Sequence, residues 1–378
     1  MKNFEIYHQS VFDVWPLEDN SIQAIITSPP YWGLRKYDIP DIIIGGDINC
    51  KHKFIEHFTS PKGGKSHPDR PSNVGANRIM SDMDIRGVGI KSNFCMLCSA
   101  WKGQYGLEPS YKDYIAHTTL WAKEAWRVLK DDGVFFLNIG DSYQTQSGVN
   151  IGKNPEKYAN LSITAITNHR KQQDLMHKCK MLIPHRIAIS LIDEGWILRN
   201  DILWYKTNAM PESCQDRFSK KFEYIFMFVK NPKYYFNLDV IRESIKEVSI
   251  KRIESFKRNK ESFNPEKHKN SKDTVMGMRL LENAQNGEWL IKGKNPGDVW
   301  QINTQPSSEK HYAMWPEKLV ERMLLCSTKE NDIILDPFAG SGTTLKVAVQ
   351  NRRKAVGIDL GYSDIQDRKL QNIQIKLF

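Results

Sequence analysis

The sequence predicts an α/β protein built on a mostly parallel sheet. Short apolar runs of strand length alternate with helical periodicities, the strands stop at Pro or Gly turns, and one strand near the C-terminus leads through a glycine-rich turn directly into a helix. At 378 residues the chain can hold two or three domain-sized units, or one large domain carrying insertions.

The first strand is Ser21 to Thr27, stopped at Ser28-Pro29-Pro30, where one proline removes a ladder donor and the next forbids a helix. Tyr114, Trp121, Ala125, Val128 and Leu129 recur at steps of three to four and predict a core-facing helix from Tyr111 to Leu129. Asp132-Gly133 then reads as a turn, and Val134 to Ile139 as a second buried strand. Pro184 suits the first turn of a helix running to Gly195. Trp196 to Tyr205 and Phe222 to Val229 are rich in β-branched and aromatic residues, as strands that can pair at a sheet edge are. Pro316 opens a helix with Leu319, Met323 and Cys326 on one stripe. Ile333 to Asp336 is a strand, Thr343 to Asn351 a helix and Ala355 to Asp359 the closing strand.

Composition sets limits. Hydrophobic residues at 40% and charged residues at 26% are close to the globular norm, and no apolar run approaches the ~18 residues of a membrane span, so a soluble protein without a membrane partner is expected. The first ten residues lack a signal-peptide core, and six cysteines are too few for a disulfide scaffold, which points to the reducing cytoplasm. The net charge of +10 points to a polyanionic partner such as nucleic acid.

Residues 38–108, 143–182 and 240–300 break the α/β rhythm and read as insertions. From Cys50 to Lys91 there are eight Lys/Arg against four Asp/Glu, and from Arg242 to Lys272 ten against five. Each is either a solvated loop or a surface that tracks phosphates.

Asp336-Pro337-Phe338-Ala339-Gly340-Ser341-Gly342-Thr343-Thr344 lies between a strand and a helix, the context in which a glycine turn is informative. The glycines let a ligand approach the backbone, and the free amides of the new helix face it. No lysine follows the second glycine, so phosphates lack their usual counter-charge. Asp359, at the tip of a following strand, can accept both hydroxyls of a ribose. A nucleoside with cationic groups fits this set, and S-adenosylmethionine is one.

Ser28-Pro29-Pro30-Tyr31 places a hydroxyl, a donor-free backbone and an aromatic ring at the end of a buried strand, where α/β proteins put their chemistry. Together with Asp336 to Thr344 it resembles the amino-methylating DNA methyltransferases, in which these are the catalytic and the S-adenosylmethionine motifs. Catalytic motif first and cofactor motif last resembles the circularly permuted β group. The resemblance implies a Rossmann-like fold with a zinc-bearing insertion and a target-recognition insertion. It divides the chain into a catalytic part of the core (1–37), an insertion with a zinc site (38–108), the continued core (109–235), a target-recognition region (236–300) and the cofactor-binding part (301–378). Arg127 to Gly133, Pro296 to Trp300 and His311 to Leu319 look like further family segments. No clear counterpart is seen of the strand that follows the Asp359 position in many relatives.

An exocyclic amine is a poor nucleophile because its lone pair is delocalised into the ring, and hydrogen-bond acceptors draw that density back to nitrogen. The Ser28 hydroxyl and Pro29 carbonyl can accept the two amine hydrogens while Tyr31 stacks on a base that has left the duplex. A cytosine C5 enzyme needs a Pro-Cys nucleophile, and no proline here precedes a cysteine. Ser at the first motif position is, in the family, most frequent among N4-cytosine enzymes, with Asp or Asn usual for N6-adenine; the resemblance favours N4 and leaves N6 open. An RNA methyltransferase and a non-catalytic, zinc-stabilised DNA-binding protein are the other two readings.

Cys50, His52, Cys95 and Cys98 have the composition of a closed tetrahedral zinc site of structural type, the alternative being buried free cysteines beside a surface histidine. Several relatives carry a similar pair of clusters before a segment like Trp101-Lys102-Gly103-Gln104. Cys179, Cys214 and Cys326 read as core or incidental. The resemblance implies double-stranded DNA as partner. It leaves open whether a cognate restriction endonuclease of a restriction-modification system accompanies the enzyme, and leans toward a homodimer.

Overall fold

The computed structural model describes residues 3–54, 93–144, 175–244, 293–304 and 315–362, together with Gln366. Most of the 143–182 and 236–300 segments, and residues 311–314, therefore lie outside the described residues.

The main sheet has eight strands: β1 (Phe4–Tyr7), β2 (Ile22–Thr27), β5 (Leu129–Ile139), β6 (Ile197–Tyr205), β7 (Phe222–Val229), β8 (Val299–Gln301), β9 (Ile333–Asp336) and β10 (Lys354–Ile358). Their spatial order is β1-β10-β9-β2-β5-β7-β6-β8. The five strands from β1 to β5 are parallel, β7 is antiparallel to both its neighbours, and β8 returns to run parallel to β6. A separate antiparallel pair joins β3 (Ile42–Ile44) to β4 (Trp101–Gly103).

Alternation along each strand sends side chains to two cores. Ile25, Phe135, Leu137, Phe226 and Phe228 meet helices α1 (Tyr111–Val128) and α2 (Ile183–Asp193) on one face. Ala24, Ile26, Val134, Phe136 and Met227 meet α3 (Glu317–Ser327) and α4 (Thr343–Gln350) on the other. The result is a three-layer sandwich in which each fully buried Leu, Ile or Phe contributes about 1.5–3 kcal/mol. Ser110 caps α1 by accepting from the Lys112 amide at 3.0 Å. Gly195, at φ +104°, turns the chain out of α2.

Three expectations need correction. Asp132-Gly133 is not a turn between elements: β5 already starts at Leu129, and the β2–β5 pairing jumps from Ile22–Leu129 to Ala24–Val134, so these residues form an irregularity within the strand. The β6–β7 pair is not the sheet edge, because β8 adds beyond β6; the chain is back in the core before residue 300. The sheet position beyond β10, for which the sequence after Asp359 offers no clear counterpart, is taken by β1, which lies parallel to β10 with Phe4 opposite Ala355 and Tyr7 opposite Ile358.

The segment between β1 and β2 is tied down by Arg127 on α1. Its guanidinium donates to the carbonyls of Leu17 (2.7 Å) and Trp15 (2.9 Å) and to Asp19 (2.6 Å) and Glu124 (2.8 Å). Replacing Arg127 with Met orphans these acceptors, and urea titration is expected to show a loss of roughly 1–3 kcal/mol, reduced from the upper end because the group is partly exposed.

Candidate active site

From β2 the chain crosses to β5 on the α1 side of the sheet, and from β9 it crosses through α4 to β10 on the other. Adjacent parallel strands whose connections diverge open a crevice beyond their carboxyl ends. Ser28 and Asp336 stand at those two ends, 308 positions apart in sequence.

Asp336 closes the bottom of the crevice. Its Oδ1 accepts from Thr27 Oγ1 at 2.7 Å and from the Phe338 amide at 3.1 Å, and its Oδ2 from Thr344 Oγ1 at 2.6 Å. Burial pushes its carboxyl up to about 6, and these three donors oppose the rise. Both oxygens are thus engaged within the protein, and Asp336 acts first as a clasp between β2, β9 and α4.

The glycine turn above it has Gly340 at φ +51° and Gly342 at +79°, left-handed conformations that favour glycine. Asp359, following β10, accepts the Gly340 amide at 2.7 Å and the Gly361 amide at 2.9 Å. Burial raises its carboxyl and these amides lower it. Each carboxylate oxygen retains a second acceptor position for a ligand hydroxyl.

Beyond the end of β2, Ser28 Oγ lies 3.2 Å from Asn138 Oδ1, and Tyr31 Oη lies 2.8 Å from the same oxygen and 2.9 Å from Glu223 Oε2. Lys206 Nζ donates to the other Glu223 oxygen at 2.5 Å, and Asn138 Nδ2 to the Tyr224 carbonyl at 3.0 Å. Burial first, then the Glu223 carboxylate, hold the Tyr31 phenol well above its ordinary range, so it remains a donor. The Pro30 carbonyl is taken by the Tyr114 hydroxyl at 2.8 Å. No hydrogen bond reaches the Pro29 carbonyl among the described residues.

These two motifs line one cavity of about 530 Å³, a size typical of sites for small-molecule ligands. Ser28 to Tyr31, Asp336 to Ser341, Thr343 and Asp359 are all on its wall, whereas Gly342 sits behind it as the cap of α4. Sequence reading missed Asn138, Glu223 and Lys206, and also Gln9 to Phe12 after β1, which line it too. A polar Asn within the apolar run Val134 to Ile139 was the one available signal.

Cys50, His52, Cys95 and Cys98 converge, with all four ligand atoms within 4.8 Å of one another. Cys50 and Cys95 sulfurs are 3.9 Å apart, and Cys98 Sγ is 3.3 Å from His52 Nδ1. Edges of this length match a tetrahedron with metal–sulfur bonds of about 2.3 Å. Desolvation opposes ionisation of Cys95, but the amides of Leu97, Lys53 and Cys98 bring its thiol down to about 5. The cluster ties the chain leaving β3 to the chain entering β4, at the Ile44–Trp101 end of the pair. The next residue but one after Lys102, Gln104, donates to the Tyr37 and Ile39 carbonyls at 3.1 and 2.6 Å, and both of those residues line the cavity. The remaining cysteines match their reading: Cys326 is buried in the core, Cys179 is exposed and Cys214 half-buried.

Gly140 permits this arrangement through the absence of a side chain, since a Cβ there would lie 2.5 Å from Cδ2 and Cε2 of Tyr31. The ring cannot slide away without losing its two hydroxyl contacts. Gly140→Ala is expected to cost about 1–3 kcal/mol by urea unfolding, and an unchanged midpoint would sink this account of the packing.

The family model described as DNA methylase matches residues 22–366. Type II methyltransferase M.Cfr9I of Citrobacter freundii is 30% identical over 94% of this chain and 83% of its own length. Type II methyltransferase M.SmaI of Serratia marcescens is 31% identical over 68% of this chain and 73% of its own. The fold is similar to that of PvuII DNA methyltransferase (cytosine-N4-specific), with a TM-score of 0.51 and 15% identity over 98% of this chain and 94% of that one. With a family model spanning most of the chain and a relative aligned over nearly all of it, this protein belongs to the N6/N4 DNA methylase family.

Proposed function

We propose that the chain transfers a methyl group from S-adenosylmethionine to the exocyclic N4 of cytosine in duplex DNA, as part of a type II restriction-modification system. The observation that carries this reading is the meeting of Ser28-Pro29-Pro30-Tyr31 with the Asp336–Thr344 turn in a single cavity. The type II methyltransferase names of the relatives support the system and its partner endonuclease, and the cytosine-N4 specificity of the PvuII enzyme agrees with Ser at position 28.

S-adenosylmethionine supplies a methyl group on a positively charged sulfur. Asp359 would hold its ribose hydroxyls, and the turn from Phe338 to Ser341 would form the floor beneath it. Ser28 donates its proton toward Asn138 or Tyr31, which leaves the Oγ lone pairs to accept one hydrogen of the target amine. The Pro29 carbonyl accepts the other. Tyr31, fixed by Asn138 and Glu223, supports the flipped base. The amine nitrogen would take the methyl group as the carbon–sulfur bond breaks, the electron pair staying on sulfur to leave neutral S-adenosylhomocysteine, and one amine hydrogen would leave as a proton to water. Positioning and acceptor strength supply the rate, and no covalent enzyme intermediate is required.

Incubation with S-adenosylmethionine and unmethylated duplex, followed by nucleoside digestion and mass spectrometry, is expected to yield N4-methylcytosine. N6-methyladenine would keep the site and overturn the base assignment. Methylation of RNA alone would overturn the DNA reading. Ser28→Ala is expected to lower kcat by roughly 100-fold or more while duplex binding persists; retained turnover would sink the role of Ser28.

We also propose that Cys50, His52, Cys95 and Cys98 hold a structural zinc ion. Its contribution is indirect, since it pins the β3–β4 pair and, through Gln104, the cavity wall at Tyr37 and Ile39. Metal analysis of the purified protein is expected to find one equivalent of zinc, lost in Cys95→Ser/Cys98→Ser. Removal by a chelator should lower the thermal midpoint and weaken S-adenosylmethionine binding. A metal-free wild type with full stability would refute the assignment.

A further inference from the structure

The connection between β6 and β7, residues 206–221, forms one rim of the cavity: Lys206, Asn208, Met210 and Lys220 all line it. Its ends are joined, with the Lys206 amide donating to the Lys221 carbonyl at 2.8 Å. It is braced from outside as well. Lys220 Nζ donates to the Asp141 carbonyl at 2.8 Å, Lys178 pairs with Asp216 at 2.5 Å, and Asn208 exchanges hydrogen bonds with Thr304 at 3.0 and 3.1 Å. On this braced segment Phe218 is 98% exposed and Met210 86%. A Phe held almost wholly in water forgoes the stabilisation that burying it would give, and here it stands beside a site whose substrate must be pulled from a stack.

The surroundings carry the charge that such a substrate requires. Lys178, Lys180, Arg217, Lys220 and Lys221 lie on this loop or beside it, and three acids accompany them, Glu212 paired with Arg217, Asp216 with Lys178 and Asp141 with Lys180, which leaves a local excess of two positive charges. An apolar side chain flanked by cations, two positions from Lys220 on the loop that rims the cavity, is the composition of elements that push between base pairs and grip the adjoining phosphates.

We propose that Phe218 is a wedge for the DNA duplex: as the target base swings into the cavity, the Phe218 ring enters the gap left in the stack, with Arg217 and Lys221 on the flanking phosphates. This rests on the functional reading above and extends it to how the base is extruded. Flipping costs the stacking and pairing of one nucleotide, and a ring placed in the gap restores part of that stacking. Bracing the loop beforehand removes the entropy cost of ordering it on binding.

The test compares two substrates containing the methylated sequence of the wild type, one fully paired and one with an abasic site opposite the target base, where little pairing remains to be broken. Phe218→Ala is expected to lower kcat/KM on the paired duplex by about tenfold or more, to stay within about threefold of wild type on the abasic duplex, and to leave S-adenosylmethionine affinity unchanged. Phe218→Trp should restore most of the loss. Equal losses on both substrates, or no loss on either, would overturn the wedge. A wild type that methylates no duplex fails on the function itself, before Phe218 is altered, so the two failures are distinguishable.

Discussion

The buried carboxylate of Asp336 is the interaction on which the site depends. Taking a charged group out of water is costly unless donors replace the lost solvation, and here three do so: Thr27 from the end of β2, Thr344 from the first turn of α4 and the amide of Phe338 in the turn between. The two threonine bonds, at 2.7 and 2.6 Å, are short, as charge-assisted bonds are. They join the strand that leads into Ser28–Tyr31 to the strand and helix that carry the glycine turn. The loops are free to diverge above this point because their bases are locked below it. A carboxylate expected to face the ligand is therefore mainly what keeps the ligand's two walls in register.

Much of this was legible because it is local. A six-residue apolar strand ending in Pro29-Pro30, and a strand, glycine turn and helix in immediate succession, each carry their structure in adjacent residues. The convergence of Cys50, His52, Cys95 and Cys98 was legible for a different reason: few side-chain types have the chemistry of metal ligands, so the four identify one another across a long insertion whatever backbone lies between. What could not be read depends on contacts between distant positions. Tyr31 meets Asn138 and Glu223, 107 and 192 positions away, and only the antiparallel placing of β7 beside β5 brings the last of these to the catalytic loop. β1 escaped notice because it is four residues long, only partly buried and attached by one edge, so it lacks the continuous apolar run that marks central strands. Asp132-Gly133 has the composition of a turn, yet sheet pairing on both sides absorbed it into β5, a case of tertiary context overriding local preference.

The finished pocket shows why the chain order can be rearranged without loss. In the sheet, β1 neighbours β10 although the two open and close the described part of the chain, and β9 neighbours β2 across more than three hundred positions. Only the spatial order matters to a ligand. What must be preserved is that β10, β9 and β2 end on the same side, and their parallel pairing guarantees this.

The two outer attachments then divide the work. On the cofactor side, the β3–β4 pair has only three residues in each strand, too short to be stable alone, yet through Gln104 it fixes the backbone at Tyr37 and Ile39. The zinc ion proposed for the Cys50, His52, Cys95 and Cys98 cluster would make so small an element rigid. The β6–β7 connection needs no such tie, because the Lys206–Lys221 hydrogen bond closes its ends and Lys220, Asn208 and Asp216 anchor it to Asp141, Thr304 and Lys178. Rigidity there serves a different end: it keeps Lys206 against Glu223, and so keeps the Tyr31 hydroxyl where it is, while presenting exposed apolar groups outward. The same loop thus reaches the Tyr31 hydroxyl through Lys206 and Glu223 and presents Met210 and Phe218 to solvent, so that, under the function proposed, the seating of a duplex is coupled to the geometry of the Ser28–Tyr31 loop.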